Sequence, residues 1–174
     1  NEVRFEPNHT GVFGRVLLAR IDPDSHDEPA VVDLNPHLDY TLSTLPQKER
    51  DRSLGDPRAI LWSAGGERGY VAGMGSNNVI VIDALGRRLG ASIEVGEGPT
   101  GLVLDERAGR LYVLNKFESS ISVVDTAAGH EIVTCVAERG VLLVLRRHGD
   151  LEARSLNDGQ LWDTHASTLA TGGL

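Results

Sequence analysis

Arg110-Leu111-Tyr112-Val113-Leu114-Asn115, then the turn Glu118-Ser119-Ser120, then Ile121-Ser122-Val123-Val124-Asp125 is the stretch that decides the fold. Its second run alternates and closes on an Asp, as a half-buried strand does before a turn. Forty-two residues earlier the chain says nearly the same thing, with Tyr70-Val71-Ala72, the turn Ser76-Asn77-Asn78, and Val79-Ile80-Val81-Ile82-Asp83. Aligning Pro57–Asp83 on Pro99–Asp125 gives six identities: Pro57/Pro99, Arg68/Arg110, Tyr70/Tyr112, Val71/Val113, Val81/Val123 and Asp83/Asp125. They recur at equivalent points of the hairpin, so the period carries more weight than their number.

Each unit divides into four short strands. The first gives Ala59–Trp62, Gly69–Ala72, Val79–Asp83 and Ala91–Val95; the second gives Gly101–Leu104, Arg110–Leu114, Ile121–Asp125 and Glu131–Val136. The linkers are short and rich in Gly, Ser, Asn and Asp, which is hairpin chemistry. Four antiparallel strands repeating at about 40–45 residues are the signature of a propeller blade. A lone blade cannot bury its faces, so each needs neighbours. The expected fold class is therefore all-β, a partial β-propeller of about three to four blade equivalents over residues 1–174.

The period extends outward on both sides. Ile21-Asp22 repeats Ile82-Asp83, and Val31-Val32-Asp33-Leu34 suits the strand after it. Asp22 precedes Asp83 by 61 residues, one period and 19 residues more, which places an inter-blade insertion at 37–55. This segment is polar and charged and predicts a surface loop or short helix. Residues 141–174 predict a degenerate blade and tail, with strands at Val141–Leu145, Leu151–Leu156 and Leu161-Trp162, and with Val141 where Pro is expected.

Composition narrows the function classes. The chain has 174 residues, 17 basic and 25 acidic, for a net charge of −8. That balance excludes a general nucleic-acid binder, which presents a basic face. The longest apolar run, Val141–Leu145, is far short of a membrane span. Cys135 is the sole cysteine, so no internal disulfide, Cys-x-x-Cys metal motif or haem attachment motif is possible within these residues. The 20 glycines read as the turns of many short strands. The chain starts at Asn1 without a signal-peptide core, as expected of a processed or trimmed product.

Gly98-Pro99-Thr100-Gly101, Leu111-Tyr112-Val113-Leu114-Asn115 and Ser122-Val123-Val124-Asp125-Thr126 resemble the YVTN family of β-propeller repeats. The resemblance is strongest over 56–136. The first unit departs from the pattern, with Gly73 in place of Asn and Asp56 where the second unit has Gly98. The resemblance implies an exported protein, periplasmic or at the cell surface, of the surface-layer or cytochrome-associated kind. Leu161-Trp162-Asp163-Thr164-His165 is similar to segments that precede a c-type haem site in some such proteins, which makes His165 a haem-adjacent candidate. No cofactor is expected in this chain; haem c would belong to a neighbouring segment or partner.

The recurring residues have structural readings first. Asp83 and Asp125 close equivalent strands and are expected to accept backbone N–H groups of the following turns. Tyr70 and Tyr112 are expected as core aromatics between blades. Pro57 and Pro99 open each first strand, where a missing N–H does no harm, and Asn115 belongs to the repeat pattern. Asp22, Asp24 and Asp27 are candidate oxygen ligands for a hard cation, although the segment breaks the EF-hand pattern and also suits a solvated turn. No two histidines have the spacing of a helical zinc pair, and no Gly-x-Ser-x-Gly nucleophile elbow occurs.

No catalytic residue emerges. The expected function is a non-catalytic scaffold or protein-interaction module of a larger exported assembly, its propeller completed by a protein partner or further chain. The insertion is the expected contact surface, and its deletion is expected to leave the blades folded. Two alternatives stand beside this: a propeller domain attached to or docking a c-type haem redox protein, and a lactonase-like propeller hydrolase.

Overall fold

The computed structural model describes residues 14–24, 26–138, 141–146, 151–155 and 161–165. A two-stranded hairpin comes first, β1 (Leu17–Arg20) against β2 (Ala30–Asp33). A connection bearing the short helix α1 (Gln47–Asp51) leads to the first four-stranded sheet. That sheet is a meander of β3 (Pro57–Trp62), β4 (Arg68–Gly73), β5 (Asn78–Asp83) and β6 (Arg88–Glu94). The second unit repeats it as β7 (Pro99–Asp105), β8 (Arg110–Asn115), β9 (Ser120–Asp125) and β10 (His130–Glu138). All pairs are antiparallel, and the registers match across the repeat: Tyr70 faces Val81, and Tyr112 faces Val123. The units are blades of the propeller type.

Alternation gives each sheet two faces, and the core forms where unlike faces meet. The trailing face of the first sheet, with Leu61, Tyr70, Ala72, Val79 and Ile93, packs on the leading face of the second, with Leu102, Leu111, Val113 and Val124. The leading face of the first sheet, with Val71, Ile80 and Ile82, is covered by Val16, Leu18, Leu34 and Leu54. Shifted by 61 residues, Leu18 is the counterpart of Val79. The β1–β2 hairpin therefore sits as the outer half of a preceding blade, trailing face onto leading face. The same directional contact occurs twice.

Two elements differ from expectation. Residues 37–55 include the short helix expected there, α1, whose residues are not buried, but the segment is more than surface: Leu38, Leu45 and Leu54 are buried, and Leu54 joins the core of the first sheet. Their charged neighbours hide this spacing in the sequence, and deleting the segment would remove Leu54 from the cover over Val71, Ile80 and Ile82. At the other end, β11 (Val141–Arg146), β12 (Leu151–Ser155) and β13 (Leu161–His165) make no sheet of their own. They continue the second sheet edgewise, β11 pairing with β10, to give seven strands. Only two residues separate β10 from β11, a length that returns a strand beside its predecessor. The tail after His165 lies outside the described residues.

Candidate functional site

Asp83 and Asp125 act on their own turns. Asp83 Oδ1 accepts the N–H groups of Leu85 and Arg87, each at 2.9 Å, and Oδ2 accepts from Arg87 Nε at 2.7 Å. Asp125 Oδ1 accepts from Ala127 and Ala128, each at 2.9 Å, and Oδ2 accepts from Arg110 at 2.7 Å. These N–H donors hold both carboxyls below the ordinary range, the adjacent arginine adding to the effect. A carboxylate so occupied is a turn brace and has little capacity left for a ligand.

The other candidates separate in the same way. Asp22 accepts the Asp24 N–H at 3.0 Å and so closes its own turn. Among the described residues, no group of three His, Cys, Asp or Glu could hold a metal ion. His165 is the last residue of β13, and its side chain lies outside the described part. Pro57 and Pro99 begin β3 and β7, each at one edge of its four-stranded unit. Among the described residues, no helix is long and apolar enough to cross a membrane.

Asn115 is fully buried and donates to Ser120 Oγ at 2.9 Å and Ser122 Oγ at 2.8 Å. Gly96 N–H donates to Ser122 at 3.2 Å, and a side chain at Gly96 would strike the Asn115 amide, so the glycine lets the loop before β7 lie against it. The first unit builds its counterpart from other positions. Asn78 donates to the Ser53 carbonyl at 3.0 Å and accepts from Ser76 at 2.8 Å.

The insertion and the β4–β5 turn enclose a cleft of about 560 Å³. Its polar lining includes Gln47, Arg50, Asp51, Ser76, Asn77 and Glu94. Gln47 bridges two of these, donating to Asp51 at 2.5 Å and accepting from Arg50 at 2.6 Å. At one side His37 Nε2 lies 3.1 Å from the Glu49 carbonyl and 3.2 Å from Ser53 Oγ. Burial lowers the His37 pKa, the Glu49 carbonyl opposes this, and the nearby Arg88 and Arg52 charges add to the lowering. The mixed charges select no ligand class, and the histidine braces the insertion.

A second candidate surface is the trailing face of the second sheet. Tyr112 was expected inside, yet it is 37% exposed where Tyr70 is 3% exposed. Val103 (63%), Leu114 (50%) and Ile121 (41%) are exposed with it. Register places them together: Tyr112 opposes Val103, and Ile121 opposes Leu114. Cys135 opposes Ile121 on the same face and is partly buried. Burial pushes its thiol pKa up, with Glu131 adding to the rise, so the thiol stays protonated and weakly reactive. One period back, the equivalents Leu61, Tyr70, Ala72, Val79 and Ile93 lie in the interface between the two sheets. Tyr112 is exposed because no further sheet covers it among the described residues.

No family model matches the chain, and no curated protein matches it. Among solved structures it is similar to Kuenenia stuttgartiensis hydrazine synthase, at 18% identity over 64% of this chain and 36% of that one, with a TM-score of 0.45. It is similar also to the periplasmic gluconolactonase PpgL of Pseudomonas aeruginosa, at 22% identity over 63% of this chain and 38% of that one, with a TM-score of 0.41. A third similarity is to a nidogen/laminin complex, at 16% identity over 64% of this chain and 48% of that one, with a TM-score of 0.39. The chain thus spans less than half the length of each. Likeness at this level carries no statement about chemistry.

Proposed function

We propose that this chain is a non-catalytic β-propeller module of the YVTN repeat type, a scaffold through which a larger exported assembly is held together. One observation supports the reading above others: the second sheet carries outward the residue pattern that the first sheet uses to bind its neighbour. Clustered exposed apolar residues on a sheet face mark an association surface. The turn carboxylates are consumed in bracing, which suits a rigid scaffold better than a reaction centre. Working by contact, the module would present the face of Val103, Tyr112, Leu114 and Ile121 to a protein and keep its turns rigid behind it.

A photo-crosslinking residue at position 114, introduced in cells that make the protein, tests the reading. The expected result is a discrete cross-linked protein product at 114 and none at the exposed turn position Arg107. Equal or absent products at the two positions would overturn it.

A further inference from the structure

The β1–β2 hairpin also has an uncovered face. Leu18 and Val32 form one register pair, and Leu18 packs into the first sheet's leading side. The opposite face carries Leu17, Ala19 and Val31, with Leu17 52% and Val31 60% exposed, and Asp33, opposite Leu17, gives it one charged end. By the same alternation this is a leading face. Among the described residues two unlike, largely apolar faces are therefore open, a leading face on the hairpin and a trailing face on the second sheet. Leading and trailing faces are the two kinds that pair inside the chain, once between the sheets and once between hairpin and first sheet.

We infer that a second copy of this chain covers the open trailing face, seating its β1–β2 hairpin on Val103, Tyr112, Leu114 and Ile121. The contact is head-to-tail, so each copy has one face to give and one to receive. Such heterologous contacts form a ring when the rotation closes and a filament when it does not. Two chains bring four blade sheets and two half-blade hairpins, and propellers close with about four to eight blades. The count therefore suits a ring of two chains. Cys135 lies on the receiving face and would be shielded in it. This pairing rests on the association reading above and specifies its partner.

Sedimentation of the full chain over a wide concentration range, with Leu114→Asp and Val31→Asp variants, tests the inference. Expected results are a two-chain species for the unmodified protein and loss of that species in each variant alone. Mixing the two variants should restore a one-to-one complex, because one supplies a sound leading face and the other a sound trailing face. Restoration also shows that both variants fold. Maleimide labelling of Cys135 should be slower in the two-chain species than in Leu114→Asp. A chain that stays monomeric, or a Val31→Asp variant that still pairs with itself, would overturn head-to-tail pairing. A position-114 cross-link to a different protein would overturn the second copy and leave the association reading standing; no cross-link would remove both.

Discussion

Trp62 stands opposite Gly69 across β3 and β4, and its ring fills the place of a side chain at 69. A Cβ built on Gly69 would lie 3.0 Å from the ring and 2.8 Å from Ile82 Cγ1. In the second sheet the equivalent pair is Leu104 opposite Leu111. One sheet puts the volume on one strand and the other divides it between two. The polar pair does likewise: Gly73 opposes Asn78, and Asn115 opposes Ser120.

The volume exchange predicts compensation. Gly69→Leu alone should destabilise by ~1–3 kcal/mol through overpacking, and Trp62→Leu alone should lose the ring's packing over Gly69. The double variant copies the second sheet and should recover at least ~1 kcal/mol relative to the sum of the singles. Urea midpoints of the four proteins measure the coupling.

Leu54 should behave as a core residue. It is 1% exposed and packs with Ile80 and Ile82, so Leu54→Ala should cost ~2–5 kcal/mol. Lys48→Ala on the exposed helix should stay within about 0.5 kcal/mol. Thermal denaturation of both variants separates an anchored insertion from a loose one.

The loop before each first strand is built differently in the two units. Asp56 and Gly98 are equivalent, and both have positive φ, 48° and 69°. A Cβ at Gly98 would lie 2.5 Å from the Phe117 ring, in a backbone region that side chains disfavour. Gly98→Ala should therefore lower the unfolding free energy by ~1–2 kcal/mol. Asp56→Gly should change it by less, because relief of strain offsets lost unfolded-state restriction and a weak exposed pair with Arg58. Denaturant midpoints read both.

Acid should loosen the braced turns and the insertion in different ranges. Asp83 and Asp125 have lowered folded pKa values, so the unfolded chain binds more protons as pH falls. Their contribution is full above the unfolded carboxyl range and is lost as pH drops through the folded values. His37 is also lowered, which favours its neutral form in the fold. Its contribution is present above the ordinary histidine range and declines as pH falls below it. Hydrogen-exchange protection factors of residues 37–55, corrected for the intrinsic rate at each pH, should fall first, below the ordinary histidine pKa of about 6.5, and His37→Gln should flatten that step.

The eight strands of the two full units were legible because their hydrophobic positions recur at one offset and each run ends in a turn residue. Asp83 and Asp125 could be assigned as turn braces for the same reason, since a carboxylate acts on N–H groups a few residues away. Tyr112 was not legible. Its sequence surroundings match those of Tyr70, and what separates them is the presence of a neighbouring sheet, which no local pattern encodes. Leu54 was hidden among charges because its partners, Ile80 and Ile82, lie some 26 residues on. The edgewise path of β11–β13 depended on a two-residue link, whose length matters more than its composition.

The directional contact between sheets bears on how such a chain can grow. A duplicated 42-residue unit brings one face of each kind. Inserted between two existing sheets, it would meet a trailing face on one side and a leading face on the other, so neither interface needs a new solution. The arrangement would present the same outer surfaces as before, at a different angle about the stack. Lengthening by duplication is thus neutral for packing, while a unit and a half, or a unit reversed, would set like against like.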